Sequence, residues 1–304
     1  MGEGKMVWKK PTQLEVSLFI ILFISTMYAQ NAHKVIGPYL GQTPPGDTAT
    51  LFAIDFLGSD LHSGPVFSRD GQEVFWSPLE GNTGHILTSR LTKSGWSSPQ
   101  EIKFVNGPPN SFEPCLSPDG TRLFFISQET AAKDYRETIW MAPREGKGWG
   151  TARLVSPLIY DLETHWQISV AENGNLYFLG RVNGNGDIYL LPFVEGTYQE
   201  PAKLGRAINT DHREGSPFVA PDESYLIFSR SFRNSSRKGD LFISFRKSDG
   251  TWAEAKNMES LNKDGVDELC ATVSRDGKYL FFLRNTSQGF SPHWISSSVI
   301  DKYR

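Results

Sequence analysis

The chain has 304 residues, with 31 Lys and Arg against 34 Asp and Glu, a formal charge of -3 that leaves no basic footprint for nucleic acid. It is 38% hydrophobic and 12% aromatic, enough to bury a substantial core. The 28 Gly and 18 Pro, with few helix-favouring runs, suit a fold made of many turns.

The chain starts with Lys5, Lys9 and Lys10, followed by the apolar run "LFIILFISTMYA" at 18–29 and then the polar "QNAHK". This is the order of a secretory leader, and the run is too short to span a bilayer comfortably. Residues 1–30 are therefore expected to be a signal peptide cut near Ala29 or Gln30. The mature domain is then 31–304, placed in the periplasm or outside the cell and without a membrane span. An uncleaved anchor is the competing reading. No Cys ends the apolar run, which leaves no site for a bacterial lipoprotein anchor.

Next comes "ATLFAIDF" (49–56), which reads as a strand with no hairpin ahead of it. A repeat then begins. With Asp119 as position zero, "CLSPDGTRLFFIS" (115–127) recurs as "FSRDGQEVFW" around Asp70 and "VAENGNLYFL" around Asn173. It returns as "VAPDESYLIF" around Asp222 and "VSRDGKYLFF" around Asp276, at spacings of 49, 54, 49 and 54 residues. Each copy is an antiparallel hairpin. The Asp carboxylate takes nearby backbone N–H groups, and Gly supplies the positive φ of a tight turn. Glu223 stands where the fourth copy should have Gly, so a different turn is expected there.

A third strand follows in "HILTSRL" (85–91), "TIWMAPR" (138–144), "DIYLLPF" (187–193) and "DLFISFR" (240–246). A fourth is announced by "GWSSPQEI", "GWGTARLV", "TYQEPAKL" and "TWAEAKNM". Four short strands per roughly 50 residues define a β-propeller blade. The last copy runs out after "HWISSSV" (293–299), so the strand near residue 50 is expected to complete the last blade and close a five-bladed ring. Six blades would require a degenerate copy within 31–60. "SPDGTRLFFIS", "GDLFIS", "LGRAINTDHREGSPFVAPDESYLIFSR" and "GPYLGQTPPGDTATLFA" look like the bacterial WD-like repeat family, related to the propeller of the TolB protein, over about 35–300. The resemblance implies an exported propeller, and for many members a binding or scaffold role.

The innermost strand of each blade precedes position zero. Eight residues before it stand His62, Ser111, His165, Glu214 and Glu268; six before it stand Gly64, Glu113, Gln167, Ser216 and Cys270. Strand alternation puts both columns on one side, with Pro65, Pro114, Ile168 and Pro217 on the other. Eight residues after position zero stand Pro78, Ser127, Arg181, Arg230 and Arg284, expected beside the first column. This pairs Glu214 with Arg230, Glu268 with Arg284 and His165 with Arg181.

Two readings of these columns compete: cross-strand pairs that hold the mouth of each blade, or polar groups converging on a ligand. The candidate ligand set is His62, Glu113, His165, Gln167, Arg181, Glu214, Arg230, Glu268 and Arg284. His62, His165, Glu214 and Glu268 are acceptable metal ligands, yet no short ligand spacing exists and the Arg residues would repel a cation. No metal or cofactor is expected. "NGNGD" (183–187) begins like a calcium loop, but Glu195 falls one residue past the required place. No Walker, Rossmann or nucleophile-elbow pattern occurs. Cys115 and Cys270 sit at different offsets of their repeats and are expected as buried, unpaired thiols.

The sequence thus points to a monomeric, exported, all-β five-bladed propeller that binds a protein or carbohydrate at its channel mouth. The alternative is a carbohydrate-active hydrolase or lyase using Glu113, Glu214 or Glu268. An enzyme needs two carboxylates facing an open pocket and free of Arg. A scaffold has them consumed in Arg pairs.

Overall fold

A computed structural model describes residues 35–79, 84–129, 136–162, 167–232, 238–287 and 289–304. The expected signal peptide and His165 lie outside the described residues. The strands form five antiparallel blades in a ring, a five-bladed β-propeller. The third blade shows the plan: Ile168–Val170, Leu176–Val182, Asn185–Leu191 and Ala202–Lys203 run from the axis outward, each antiparallel to the last.

Position zero shapes the turns as its chemistry dictates. Asp119 Oδ1 accepts the Ser117 hydroxyl at 2.5 Å and the Thr121 N–H at 3.0 Å, while Gly120 takes φ 74°. Asp70 and Asp276 are held in the same way by Ser68 and Ser274. In the fourth blade Glu223 keeps the left-handed conformation of the missing Gly, at φ 57°, so the turn geometry there is unchanged. The strain is offset by its carboxylate, which takes the Tyr177 hydroxyl at 2.6 Å, Asn175 Nδ2 at 2.9 Å and Asn173 Nδ2 at 3.0 Å from the preceding blade. The third blade is the one that departs. Its turn closes with Ala171 N–H on Asn175 O, whereas the fourth uses Ala220 N–H on Tyr225 O, one residue longer.

The strands after position zero are apolar on both faces because each blade is covered on both sides. Five buried clusters fill the five blade-to-blade seams. Phe75 with Leu123 and Phe125 fills the seam between the first two blades, and Phe124 with Phe178 the next. Tyr177 with Phe228 and Ile227 with Phe282 continue the pattern. Adjacent side chains of one strand thus serve neighbouring seams.

The ring closes where the sequence places the closure. Thr50 and Leu51 pair with Trp294 and His293, and Phe52 N–H donates to Pro292 O at 2.9 Å. The strand is shorter than 49–56, because Ala53 turns left-handed at φ 41° and Ile54–Leu57 forms one helical turn that buries Leu57. Its partner strand runs Gly289–Ser296 and gives way to a 3-10 helix at Ser297–Tyr303, so "HWISSSV" is strand only in its first half. Upstream, Tyr39 N–H bonds Gly71 O at 2.9 Å and Trp96 Nε1 donates to Gly37 O at 2.8 Å, tying residues 37–39 across the same seam.

Candidate functional site: the central channel

Along four of the five innermost strands, alternation fails at one place. Glu113, Gln167, Ser216 and Cys270 all have positive φ, between 45° and 55°. In the second, fourth and fifth blades the pairing register slips by one across this residue. These are β-bulges, which re-aim a side chain and leave its N–H outside the ladder. Pro65, Pro114, Ile168 and Pro217, expected on the far side, line the axial cavity together with Gly64, Glu113 and Gln167.

The N–H groups released by the bulges stitch neighbouring blades together. Glu113 N–H donates to Ser77 Oγ at 3.1 Å, the Gln167 N–H donates to Glu113 Oε2, and the Gly64 N–H points at the Cys270 thiol. Gly64 permits the close approach that closes this ring, since a Cβ there would lie 2.9 Å from Cys270 O. Cys270 Sγ lies 3.7 Å from Ser216 Oγ. Both Cys115 and Cys270 are unpaired and buried, and burial pushes both thiols up despite Arg275 beside Cys115 and the Ser216 hydroxyl beside Cys270.

Two contacts span the axis between blades that are not neighbours. Gln167 Nε2 reaches Ala271 O at 3.4 Å, from the third blade to the fifth. Arg275 donates its guanidinium to Leu116 O, from the fifth to the second. The cavity between them measures about 30 Å³, room for about two water-sized groups. No sugar ring fits it.

Around the mouth, the two Glu–Arg pairs form as the spacing predicts. Glu214 and Glu268 are fully buried, with Arg230 Nε 2.8 Å from Glu214 Oε1 and Arg284 Nε 2.9 Å from Glu268 Oε1. Thr210 N–H and hydroxyl also serve Glu214, and the Lys263 N–H serves Glu268. Each Arg completes its bonding on a backbone carbonyl, Ile208 O and Leu261 O, and lies over a Phe ring. Burial pushes the Glu268 carboxyl up, and Arg284 recovers only part of that shift. Every oxygen of these carboxylates is engaged. They are struts of the fourth and fifth blades.

Arg181 does not belong to this column. Because the turn of the third blade is one residue shorter, Gly180 occupies the place of Arg230 and Arg181 that of Ser231. Its Nε is buried without a partner. Pro78 is displaced likewise: it pairs with Leu61, and His62 N–H bonds Ser77 O at 2.8 Å.

Among the described residues the first three blades show no such strut at the mouth, and there His62, Glu113 and Gln167 meet. His62 Nδ1 lies 2.8 Å from Glu113 Oε1, near enough for an ion pair although its N–H is not aligned for a hydrogen bond. Burial lowers the affinity of this imidazole for its proton, but Glu113 and then Glu137 more than reverse that, so its pKa is raised. His62 is 26% exposed while Glu113 is 4% exposed, so solvent comes within one imidazole of the buried carboxylate. The hydroxyl of Ser63 and Oε1 of Gln167 are buried with no partner. Sequence reasoning missed Ser63 and Arg275, since neither has a chemical signal apart from its place in the ring. Among the described residues no group of three or more His, Cys, Asp or Glu is disposed to hold a metal.

Fold and channel together define a β-propeller with a narrow, plugged axis. Among solved structures it is similar to TolB from Acinetobacter baumannii, at 12% identity and TM-score 0.50, over 82% of this chain and 54% of that one. An endo-arabinase from Bacteroides thetaiotaomicron is similar at 13% identity and TM-score 0.54, over 83% and 96% of the two chains. At these identities the likeness is one of fold, and the chain spans about half the length of TolB. No family model and no curated protein matches the sequence. No helix among the described residues is long and apolar enough to cross a membrane.

Proposed function

We propose that the protein is an exported binding or scaffold module whose ligand contacts the channel mouth on the side of the first three blades, at His62, Glu113 and Gln167. One observation carries this reading: the carboxylates a glycoside hydrolase would need are already engaged. Glu214 and Glu268 are paired to Arg and fully buried, and Glu113 serves His62 and the Gln167 N–H. A pair of acids about 5–10 Å apart and open to a sugar is the requirement for that chemistry. Beside His62, the Ser63 hydroxyl and Gln167 Oε1 are buried without partners, and a ligand gains by supplying them. The basic start and short apolar run of the sequence support export to the periplasm or the cell exterior.

The test compares the native chain with a His62→Ala/Gln167→Ala variant in a solid-phase screen of cell-envelope proteins and oligosaccharides. A ligand retained by the native chain and lost by a variant of unchanged melting behaviour supports the mouth. Undiminished retention refutes it. Release of reducing sugar from arabinan or pectin by the native chain establishes the hydrolase reading instead.

A further inference from the structure

Three side chains of the inner ring, Ser63, Glu113 and Gln167, keep unused capacity to accept hydrogen bonds. Gln167 Oε1 is unpartnered on a side chain 6% exposed, and Ser63 Oγ is unpartnered on one 4% exposed. Glu113 has one contact on each oxygen, His62 on Oε1 and the Gln167 N–H on Oε2, which leaves lone pairs on both. The space beside them holds about two water-sized groups, and Ser216 at the same level is partly exposed to solvent. The groups facing His62 are the carboxylates Glu113 and Glu137, with the ring of Phe112 packed 4.7 Å from it centroid to centroid. Below, the guanidinium of Arg275 closes the floor on Leu116 O beside the Cys115 thiol.

We propose that this ring seats a primary ammonium head on an unbranched alkyl stem, the group carried by a lysine side chain or a free alkylamine. The inference rests on the channel-mouth reading and names the chemistry of its ligand. An ammonium is about the size of one water and brings three N–H donors to three acceptors: Glu113, Gln167 Oε1 and Ser63 Oγ. The positive Arg275 floor stops the head at the level of Glu113 and turns away a deeper cation. A space this narrow admits an unbranched methylene stem and nothing bulkier. Among the described residues the cation beside Glu113 is His62, so the ammonium replaces the imidazole proton, and each head bound releases about one proton. Affinity therefore rises about tenfold per pH unit through the range in which His62 is protonated and levels off once it is neutral.

The experiment is titration calorimetry of the full chain with n-butylammonium, n-butanol, tetramethylammonium and a lysine blocked at both backbone ends, at several pH values and in two buffers of different ionisation heat. Butylammonium should bind with release of one proton and with the stated pH slope. Butanol lacks the charge and tetramethylammonium lacks N–H donors, so neither should bind. Blocked lysine binding alongside butylammonium assigns the site to a protein side chain; butylammonium alone assigns it to a free amine. Glu113→Gln keeps an acceptor for the Gln167 N–H and should abolish binding. Ser63→Ala, at a hydroxyl with no bond to lose, should weaken it about three- to tenfold without lowering the melting temperature. Equal binding of butanol, absence of butylammonium binding, or native affinity in Glu113→Gln overturns the proposal. If these fail while the His62→Ala/Gln167→Ala variant still loses its retained ligand, the mouth stands and only the ammonium assignment falls.

Discussion

Replacing Phe52 by Ala tests the closure on which the channel depends. Phe52 is fully buried, with the rings of Trp294, Phe281 and Phe67 at 4.8, 4.9 and 5.7 Å. It follows directly on the two residues that complete the last blade. Its side chain loses about 2–3 kcal/mol of apolar transfer on truncation. The unfilled space and three lost ring contacts add to that, for a total of about 4 kcal/mol. For a domain of this size the melting temperature should fall by roughly 8–16 °C. Leu51→Ala is the control. Its side chain is 52% exposed one position upstream in the same strand, and it should cost under about 0.5 kcal/mol. Urea unfolding followed by Trp fluorescence and by far-ultraviolet dichroism measures both variants. If Phe52→Ala costs no more than Leu51→Ala, or if a chain lacking residues 35–57 melts cooperatively as a monomer, the ring does not close through this strand.

Three further outcomes follow from buried charge and backbone strain. Arg284→Met leaves the buried Glu268 carboxylate unpaired and should cost about 3–5 kcal/mol at neutral pH. Since burial raises that carboxyl, its neutral form is favoured in the folded state; the penalty should be absent below the unfolded pKa near 4 and return as pH rises, which unfolding at pH 4 and pH 7 will show. His293, beside the closing strand, is lowered to about 4 by burial, with Arg284 and Lys263 adding to the effect. Its contribution is complete above pH 6.5 and is lost as pH falls towards 4, about 3 kcal/mol in all; His293→Gln should remove that part of the acid slope. Glu223→Gly relieves a positive φ but deletes acceptors for Asn173, Asn175 and Tyr177, so calorimetric melting should show a net loss of about 1–3 kcal/mol. A gain would mean that the turn, and not the contact between blades, dominates.

The parts of the fold that were legible in the sequence are those set by neighbours in the chain. Asp119 with Gly120 makes its turn from local hydrogen bonds, and the recurrence of that turn every 49 or 54 residues gives the blade count. Glu214 with Arg230 and Glu268 with Arg284 were expected from a sixteen-residue spacing across one hairpin, and they do pair, but only because the bulges at Ser216 and Cys270 shift the register set by the turn by one residue. Arg181 was misplaced because a single residue missing from one turn shifts everything after it, and "AENGN" does not announce the loss. The lining of the channel was misread at Pro65, Pro114, Ile168 and Pro217 because strict alternation holds only where both strands keep register.

The sequence by itself determined the repeat, the number of blades and the closing strand, since hairpin geometry and apolar patterning act over a few residues. Tertiary structure alone decided the positive-φ bulges at Glu113, Gln167, Ser216 and Cys270, the plug by Arg275 and the meeting of His62 with Glu113 from different blades. A bulge is tolerated where the neighbouring blade receives its released N–H, as Ser77 does for Glu113 and Glu113 for Gln167. That partner comes from a different blade, 36 residues away for Ser77 and 54 for Glu113, and only the closed ring brings it near.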